Sequence, residues 1–205
     1  MNPPVFRRQG ILFVISAPSG TGKTTLCENL RATPDFIYSV SCTTRPPRPG
    51  EENGIDYHFL AKEQFETLIA QGEMLEYATV HGNYYGTPKA TVKEALEQGT
   101  DVLLDIDVQG AAQIRKTADK VVSDSLVDVF IMPPTLEELE RRLRKRATET
   151  EEQVRRRLET AREEMKLWRL YEYTILSGSM EEDLQKFRAI MRAERYLSRR
   201  LELNG

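Results

Sequence analysis

Short, mostly apolar runs alternate along the chain with longer stretches in which apolar residues recur every three or four positions. That alternation predicts an α/β fold around a mainly parallel sheet. The runs at 11–16, 37–41, 102–107, 127–132 and 173–176 have the character of strands buried on both faces. Between them the periodicity predicts helices at 23–32, 88–98, 108–117, 135–146, 150–170 and 181–201. On the last of these Leu184, Phe187, Ile190 and Met191 form an apolar stripe suited to packing on the core.

Residues 42–86 break this rhythm. A Pro-rich turn is followed by an aromatic run at 56–60, a helix near 62–71 and a short strand at 73–80, which together predict a small α/β insertion. A second excursion, 137–164, carries nine basic and nine acidic residues and is therefore neutral overall. Without an internal repeat, a low-complexity tract or a linker, the chain is expected to be one folding unit with two appendages. Its core is expected at about 1–41, 87–134 and 171–205, with the appendages at 42–86 and 135–170.

Composition narrows the class. The 205 residues are 40% hydrophobic, enough for a substantial core. Lys and Arg total 29 against 32 Asp and Glu, a net charge of -3 that disfavours nucleic-acid binding through a whole-protein basic field. No apolar run approaches the roughly 20 residues of a membrane span, and the N-terminus lacks the pattern of a secretory signal. Two cysteines, Cys27 and Cys42, and two histidines, His58 and His81, are too few for a disulfide framework or a zinc cluster. A reducing cytoplasmic setting is expected.

The first strand runs directly into Ser16, Ala17, Pro18, Ser19, Gly20, Thr21, Gly22, Lys23, Thr24 and Thr25, and then into a helix. This is the strand, glycine loop and helix order of a phosphate-binding loop. Gly20 and Gly22 let backbone N–H groups turn toward phosphate oxygens, and the helix N-terminus adds its positive end. Lys23 is the fixed cation for the β and γ phosphates, and the Thr24 hydroxyl is placed for Mg²⁺. Thr25 has a more structural position. Ala17 stands where the motif's first glycine is usual, which a strand exit with negative φ tolerates. Asp105 and Asp107 lie at the C-terminal end of a predicted parallel strand, where ligands of α/β sheets bind, and their spacing places them on one strand face.

A phosphate loop does not name the reaction. The segments Ser39 to Glu51 (SVSCTTRPPRPGE), Gly54 to Tyr57 (GIDY), Gly82 to Thr87 (GNYYGT) and Asp105 to Gly110 (DIDVQG) resemble the motifs of the guanylate kinase family over nearly the whole chain. The resemblance implies an α/β P-loop NTPase core of three layers, a GMP-binding insertion and a helical lid. It implies ATP-dependent phosphorylation of GMP and dGMP in purine nucleotide metabolism, with ATP, GMP and Mg²⁺ as ligands. Arg45 and Arg48 match the arginines on the GMP phosphate, helped by Tyr57 and Tyr85, and guanidinium forks suit a dianionic monophosphate. Glu76 matches the base-reading carboxylate, with Ser41, Thr87 and Asp107 in support. A carboxylate only accepts hydrogen bonds, and guanine offers adjacent donors at N1 and N2 that adenine lacks.

By the same resemblance Asp105 acts on Mg²⁺ directly or through its water shell. Arg142 and Arg146, four apart on one helix face, match lid arginines over the ATP phosphates, and Arg157 reaches in from the next helix. The acceptor phosphate is already largely dianionic at neutral pH, so direct in-line transfer needs neither a general base nor a phosphoenzyme. Leu176, Ser177, Gly178 and Ser179 depart from the Asn-Asp found there in many members, which leaves the adenine contact open. Two other readings stand beside this one: a guanylate-kinase-like interaction module without catalysis, and a kinase of another small phosphorylated acceptor. Assembly as a homo-oligomer stays open at the level of the sequence.

Overall fold

No residue of the strand Leu12–Ser16 reaches solvent. Phe13 and Ile15 join one apolar cluster, whereas Leu12 and Val14 join another on the opposite side. That alternation is how a strand covered on both faces divides its side chains between two helical layers. The computed structural model describes residues 5–33, 35–80, 82–145 and 150–204.

The N-terminal part contains β1 (Val5–Arg8), β2 (Leu12–Ser16), α1 (Lys23–Arg31), β3 (Ile37–Tyr38), β4 (Cys42–Thr43) and β5 (His58–Phe59). Next come α2 (Lys62–Ala70), β6 (Met74–Val80), β7 (Asn83–Pro88), α3 (Lys89–Glu97) and β8 (Val102–Asp105). The C-terminal part contains α4 (Val108–Arg115), α5 (Lys120–Ser125), β9 (Leu126–Met132), α6 (Leu136–Lys145) and α7 (Glu151–Met165). It closes with β10 (Tyr173–Leu176), α8 (Met180–Arg195) and β11 (Leu201–Asn204). No helix among the described residues is long and apolar enough to cross a membrane.

The main sheet has the order β10-β9-β2-β8-β3, and every pairing in it is parallel. On one face Phe13, Ile15 and Val129 pack with Leu26 and Leu30 of α1 and Phe187 and Met191 of α8. On the other, Val14, Leu104 and Phe130 pack with Val92 and Leu96 of α3 and Ala111 and Ile114 of α4. The result is the three-layer α/β core that the alternation predicts. A second sheet, β5-β4-β7-β6, is built by residues 42–88 and mixes one parallel with two antiparallel pairings. Beyond the core, Leu139 and Leu143 of α6 meet Ala161 of α7 in a small cluster of their own.

Several local expectations are corrected. The strand expected at 37–41 is only β3, a two-residue edge strand with Ile37 largely exposed. The strand expected at 102–107 ends at Asp105, so Asp107 is not its face partner. Asp107 is instead the N-cap of α4, its carboxylate accepting from the Gln109 and Gly110 N–H groups at 2.9 and 2.8 Å. The stretch after α4 turns into α5, capped by Asp119, and 83–88 forms β7. The helix expected at 150–170 finishes as a 3-10 turn over Lys166–Leu170. The helix expected to reach 201 stops at Arg195, and β11 pairs antiparallel with β1.

This terminal ribbon is tied to the core through Asp101, a buried carboxylate before β8. It accepts from Arg8 Nη1 at 2.5 Å, from the Ile11 N–H at 2.9 Å and from Arg195 Nε at 2.7 Å. Removing it strands a buried N–H and two partly buried guanidiniums. Asp101→Ala is therefore expected to lower unfolding free energy by about 3 kcal/mol. Urea denaturation checks this, and a loss below about 1 kcal/mol would contradict the tie.

Candidate active site

The C-terminal ends of β2 and β8 lie side by side, so the loop leaving β2 faces the residues leaving β8. Gly20 and Gly22 both hold left-handed conformations, with φ of 93° and 106°, which glycine adopts without the strain a side chain would meet. Gly22 caps α1, leaving Lys23, Thr24 and Thr25 in its first turn. Gly20 has a second reason to be glycine: a Cβ there would lie 2.7 Å from Leu143 Cδ2 of α6. The apolar side of α6 thus rests on the loop itself.

Lys23 Nζ stands 2.6 Å from Asp105 Oδ1 and donates to the Ile106 carbonyl at 2.8 Å. An ammonium has three donors, which leaves one for a phosphate oxygen. Burial works to lower the Lys23 pKa, but the Asp105 carboxylate outweighs it and the net direction is up, so the cation persists at neutral pH. Arg142 reaches the same loop, donating to the Thr21 carbonyl at 2.8 Å while its Nε is held by Glu138 at 2.8 Å. It also lies 3.5 Å from the Ser177 hydroxyl, which donates to the buried Asp183. Arg157 sits half-buried on α7, and Arg146 lies outside the described residues. Burial, then the Asp107 charge, raise the pKa of Glu164 at the end of α7.

On the far side of Asp105 a cavity of about 170 Å³ is bordered by Ser41, Tyr57, Glu76, Tyr85, Asp105 and Asp107. Five of these come from the four quoted motifs, and Glu76 joins them from β6. Glu76 is 6% exposed and accepts from the Thr87 hydroxyl of β7 at 2.7 Å. Burial pushes its carboxyl up to about 7, with the Asp107 charge adding to the shift and the Thr87 bonds opposing it. Tyr57 and Tyr85 meet edge to face with centroids 5.9 Å apart. Arg45 lies 5.6 Å from the Tyr57 ring, gripped by Glu51 through bonds of 2.9 and 3.0 Å. Arg48 is exposed, and its backbone N–H rather than its guanidinium meets Glu51, at 2.7 Å.

Two contributors escaped the sequence reading. Glu51 lies in a quoted motif without an assigned role; it grips the Arg45 guanidinium and the Arg48 N–H and so holds the arginine loop in shape. Gly110 sits inside α4, where glycine costs about 1 kcal/mol relative to alanine, and that cost was the available signal. A Cβ on it would lie 2.6 Å from Glu76 Oε2.

A glycine loop, its lysine and a strand-end aspartate on a parallel sheet, opposite a second cavity with a buried carboxylate, define a P-loop nucleotide kinase. The sequence profile described as guanylate kinase matches residues 9–194. The guanylate kinase of Syntrophotalea carbinolica is 50% identical over 189 residues, covering 92% of this chain and 88% of that protein. That of Zymomonas mobilis is 46% identical over 194 residues, covering 94% and 88%. A crystal structure of guanylate kinase from Anaplasma phagocytophilum matches with a TM-score of 0.75 at 35% identity, covering 96% of this chain and 92% of that one. The chain belongs to the guanylate kinase family.

The close approach of Gly110 to Glu76 gives a direct test. In Gly110→Ala the helix is retained, because the flexible carboxylate yields more easily than backbone, but Glu76 is displaced. KM for GMP is expected to rise at least about tenfold with the unfolding midpoint unchanged or higher; an unaltered KM would contradict the contact.

Proposed function

We propose that the chain transfers the γ-phosphoryl group of ATP to GMP, giving ADP and GDP by direct in-line displacement. One observation carries the reading: Asp105 and Tyr57 border both the cavity closed by Glu76 and the cleft beside Thr24 in the phosphate loop. The two phosphate-bearing substrates therefore approach each other across one carboxylate and one ring.

In this reading Glu76 accepts from guanine N1–H and the 2-amino group, with Ser41, Thr87 and Asp107 completing the base site. Adenine presents an acceptor at N1 and would leave the buried carboxylate without the donors the base supplies, a strong penalty against it. Arg45 and Arg48, with the Tyr57 and Tyr85 hydroxyls, hold the GMP phosphate. Arg45 reaches it by exchanging Glu51 for phosphate oxygens; Arg48 does so by turning its exposed side chain inward. Ala17 to Thr25 wrap the ATP phosphates, where Lys23, Arg142, Arg146 and Arg157 offset the charge spread over the transferring group. The GMP phosphate oxygen, dianionic above about pH 6, attacks without a base. Leu139 and Leu143 keep water from the loop as the lid seats on Gly20.

Thr24 and Asp105 border the same cleft, of about 200 Å³, and offer oxygen donors of the kind Mg²⁺ prefers. No group of three or more His, Cys, Asp or Glu side chains able to hold a metal occurs among the described residues, which fits an ion held mostly by water and substrate phosphates. When bound, Mg²⁺ neutralises phosphate charge and orients the transferring group. Cys27 and Cys42 are both buried and unpaired, consistent with work in a reducing cytoplasm on GMP recycled through purine metabolism.

An ADP-release assay with Mg-ATP and GMP, dGMP, AMP, CMP or UMP as acceptors tests the reading. Turnover is expected with GMP and dGMP alone; none with any acceptor would favour the interaction module. The pH profile adds the sign. Glu76 binds guanine only as the carboxylate, so kcat/KM for GMP should fall as pH drops through about 7, an inflection absent from Glu76→Gln. A flat profile down to pH 6 would contradict a buried, ionising Glu76.

A further inference from the structure

We propose that Gln113 is a positioning residue for guanine selection, acting by fixing the strand that carries Glu76. The inference rests on the reading that Glu76 receives the base. Among the described residues β6 is the edge strand of its sheet and pairs only with β7, so its other edge has backbone groups without a strand partner there. At Tyr77, the residue next to Glu76, that partner is a side chain. Gln113 Nε2 donates to the Tyr77 carbonyl at 2.6 Å, and the Tyr77 N–H donates to Gln113 Oε1 at 3.1 Å. A primary amide carries one donor face and one acceptor side by side, the same pair a neighbouring strand would present. Gln113 thus takes the place of the strand that β6 lacks.

The placement explains why this contact bears on selection. Asp107, Gly110 and Gln113 are spaced three apart along one side of α4 and its cap, and all three meet the Glu76 region. Asp107 shares the cavity wall, Gly110 allows the carboxylate to rest against the helix, and Gln113 holds the adjoining peptide. Alpha-4 is itself fixed to the core: Ile114 is fully buried, and Arg115 Nε donates to the buried Asp128 of β9 at 2.5 Å. The depth of Glu76 is therefore measured from the central sheet through α4, and not through the insertion alone. Because strand residues alternate, anchoring the Tyr77 backbone leaves the neighbouring Glu76 side chain on the opposite, cavity-facing side. Thr87 restrains the carboxylate from the other strand.

The test uses Gln113→Met, which keeps length and bulk without the two hydrogen bonds, in the full chain. KM for GMP is expected to rise about tenfold or more, while kcat at saturating GMP and KM for ATP stay within about twofold. The preference for GMP over IMP, which lacks the 2-amino group, should fall about tenfold, because a misplaced Glu76 loses the contact that distinguishes them. A general loosening of the insertion would weaken GMP and IMP equally and leave that ratio intact, which would overturn the proposal. Gln113→Ser is read the same way if the methionine variant does not fold. Glu76→Gln is measured beside them. If it keeps the preference, the base assignment itself fails; if it loses the preference while both Gln113 variants keep it, only the positioning role fails.

Discussion

A carboxylate withdrawn from water with, among the described residues, a single hydroxyl as its side-chain donor is the constraint on which the proposed base site depends. Glu76 is almost fully buried, and Thr87 supplies that one donor. Burial without a cation works against ionisation and is tolerable where a ligand brings the missing donors. The surrounding sequence makes sense in those terms. Gly110 and Gly86 clear space on either side, since a Cβ on Gly86 would lie 2.7 Å from the Glu76 carbonyl oxygen. In the proposed reading, the second sheet presents Glu76 at a fixed depth against α4.

The phosphate half follows a different logic, because its charges are satisfied before any substrate arrives. Lys23 is paired with Asp105, Arg45 with Glu51 and Arg142 with Glu138. In the proposed reading, each cation is thus held near its working position by a carboxylate that a phosphate replaces or joins. Such pairing lowers the freedom lost when the site assembles around two anions. It also accounts for the neutral balance of residues 137–164: the acidic residues among the arginines keep the segment from repelling itself. Asp105 joins the two halves, since it touches the loop lysine on one side and borders the base cavity on the other.

The sequence made the core legible where physics is local. β2 and β9 are mostly apolar runs whose burial leaves few alternatives, and the glycine loop announces itself by residue types that its backbone requires; β10, expected to be buried on both faces, is an edge strand with Ile175 buried and Leu176 exposed. What stayed hidden depends on contacts between distant segments. The β1–β11 ribbon joins residues 193 to 199 positions apart, through four-residue strands too short to announce their pairing. Asp107 looked like a strand residue by spacing, yet the two N–H groups of α4 that it caps make it the start of a helix. At the site the residue types came through from motif resemblance, and the structure brings Ser41, Tyr57, Glu76, Tyr85, Asp105 and Asp107 to one cavity. The Glu51 grip on Arg45 and the clearance at Gly110 were not legible, because each is a distance, and spacing along the chain does not encode it.

The central claim is that one buried carboxylate decides which base this chain accepts. The most direct measurement is the ratio of kcat/KM for GMP to that for AMP, in the unaltered protein and in Glu76→Gln, with Mg-ATP saturating. The account predicts a ratio above about 10³ that collapses by at least about a hundredfold in the variant, mainly through KM for GMP. A variant that keeps the full ratio while folding normally would contradict it and move base recognition to the backbone and hydroxyl groups around the cavity.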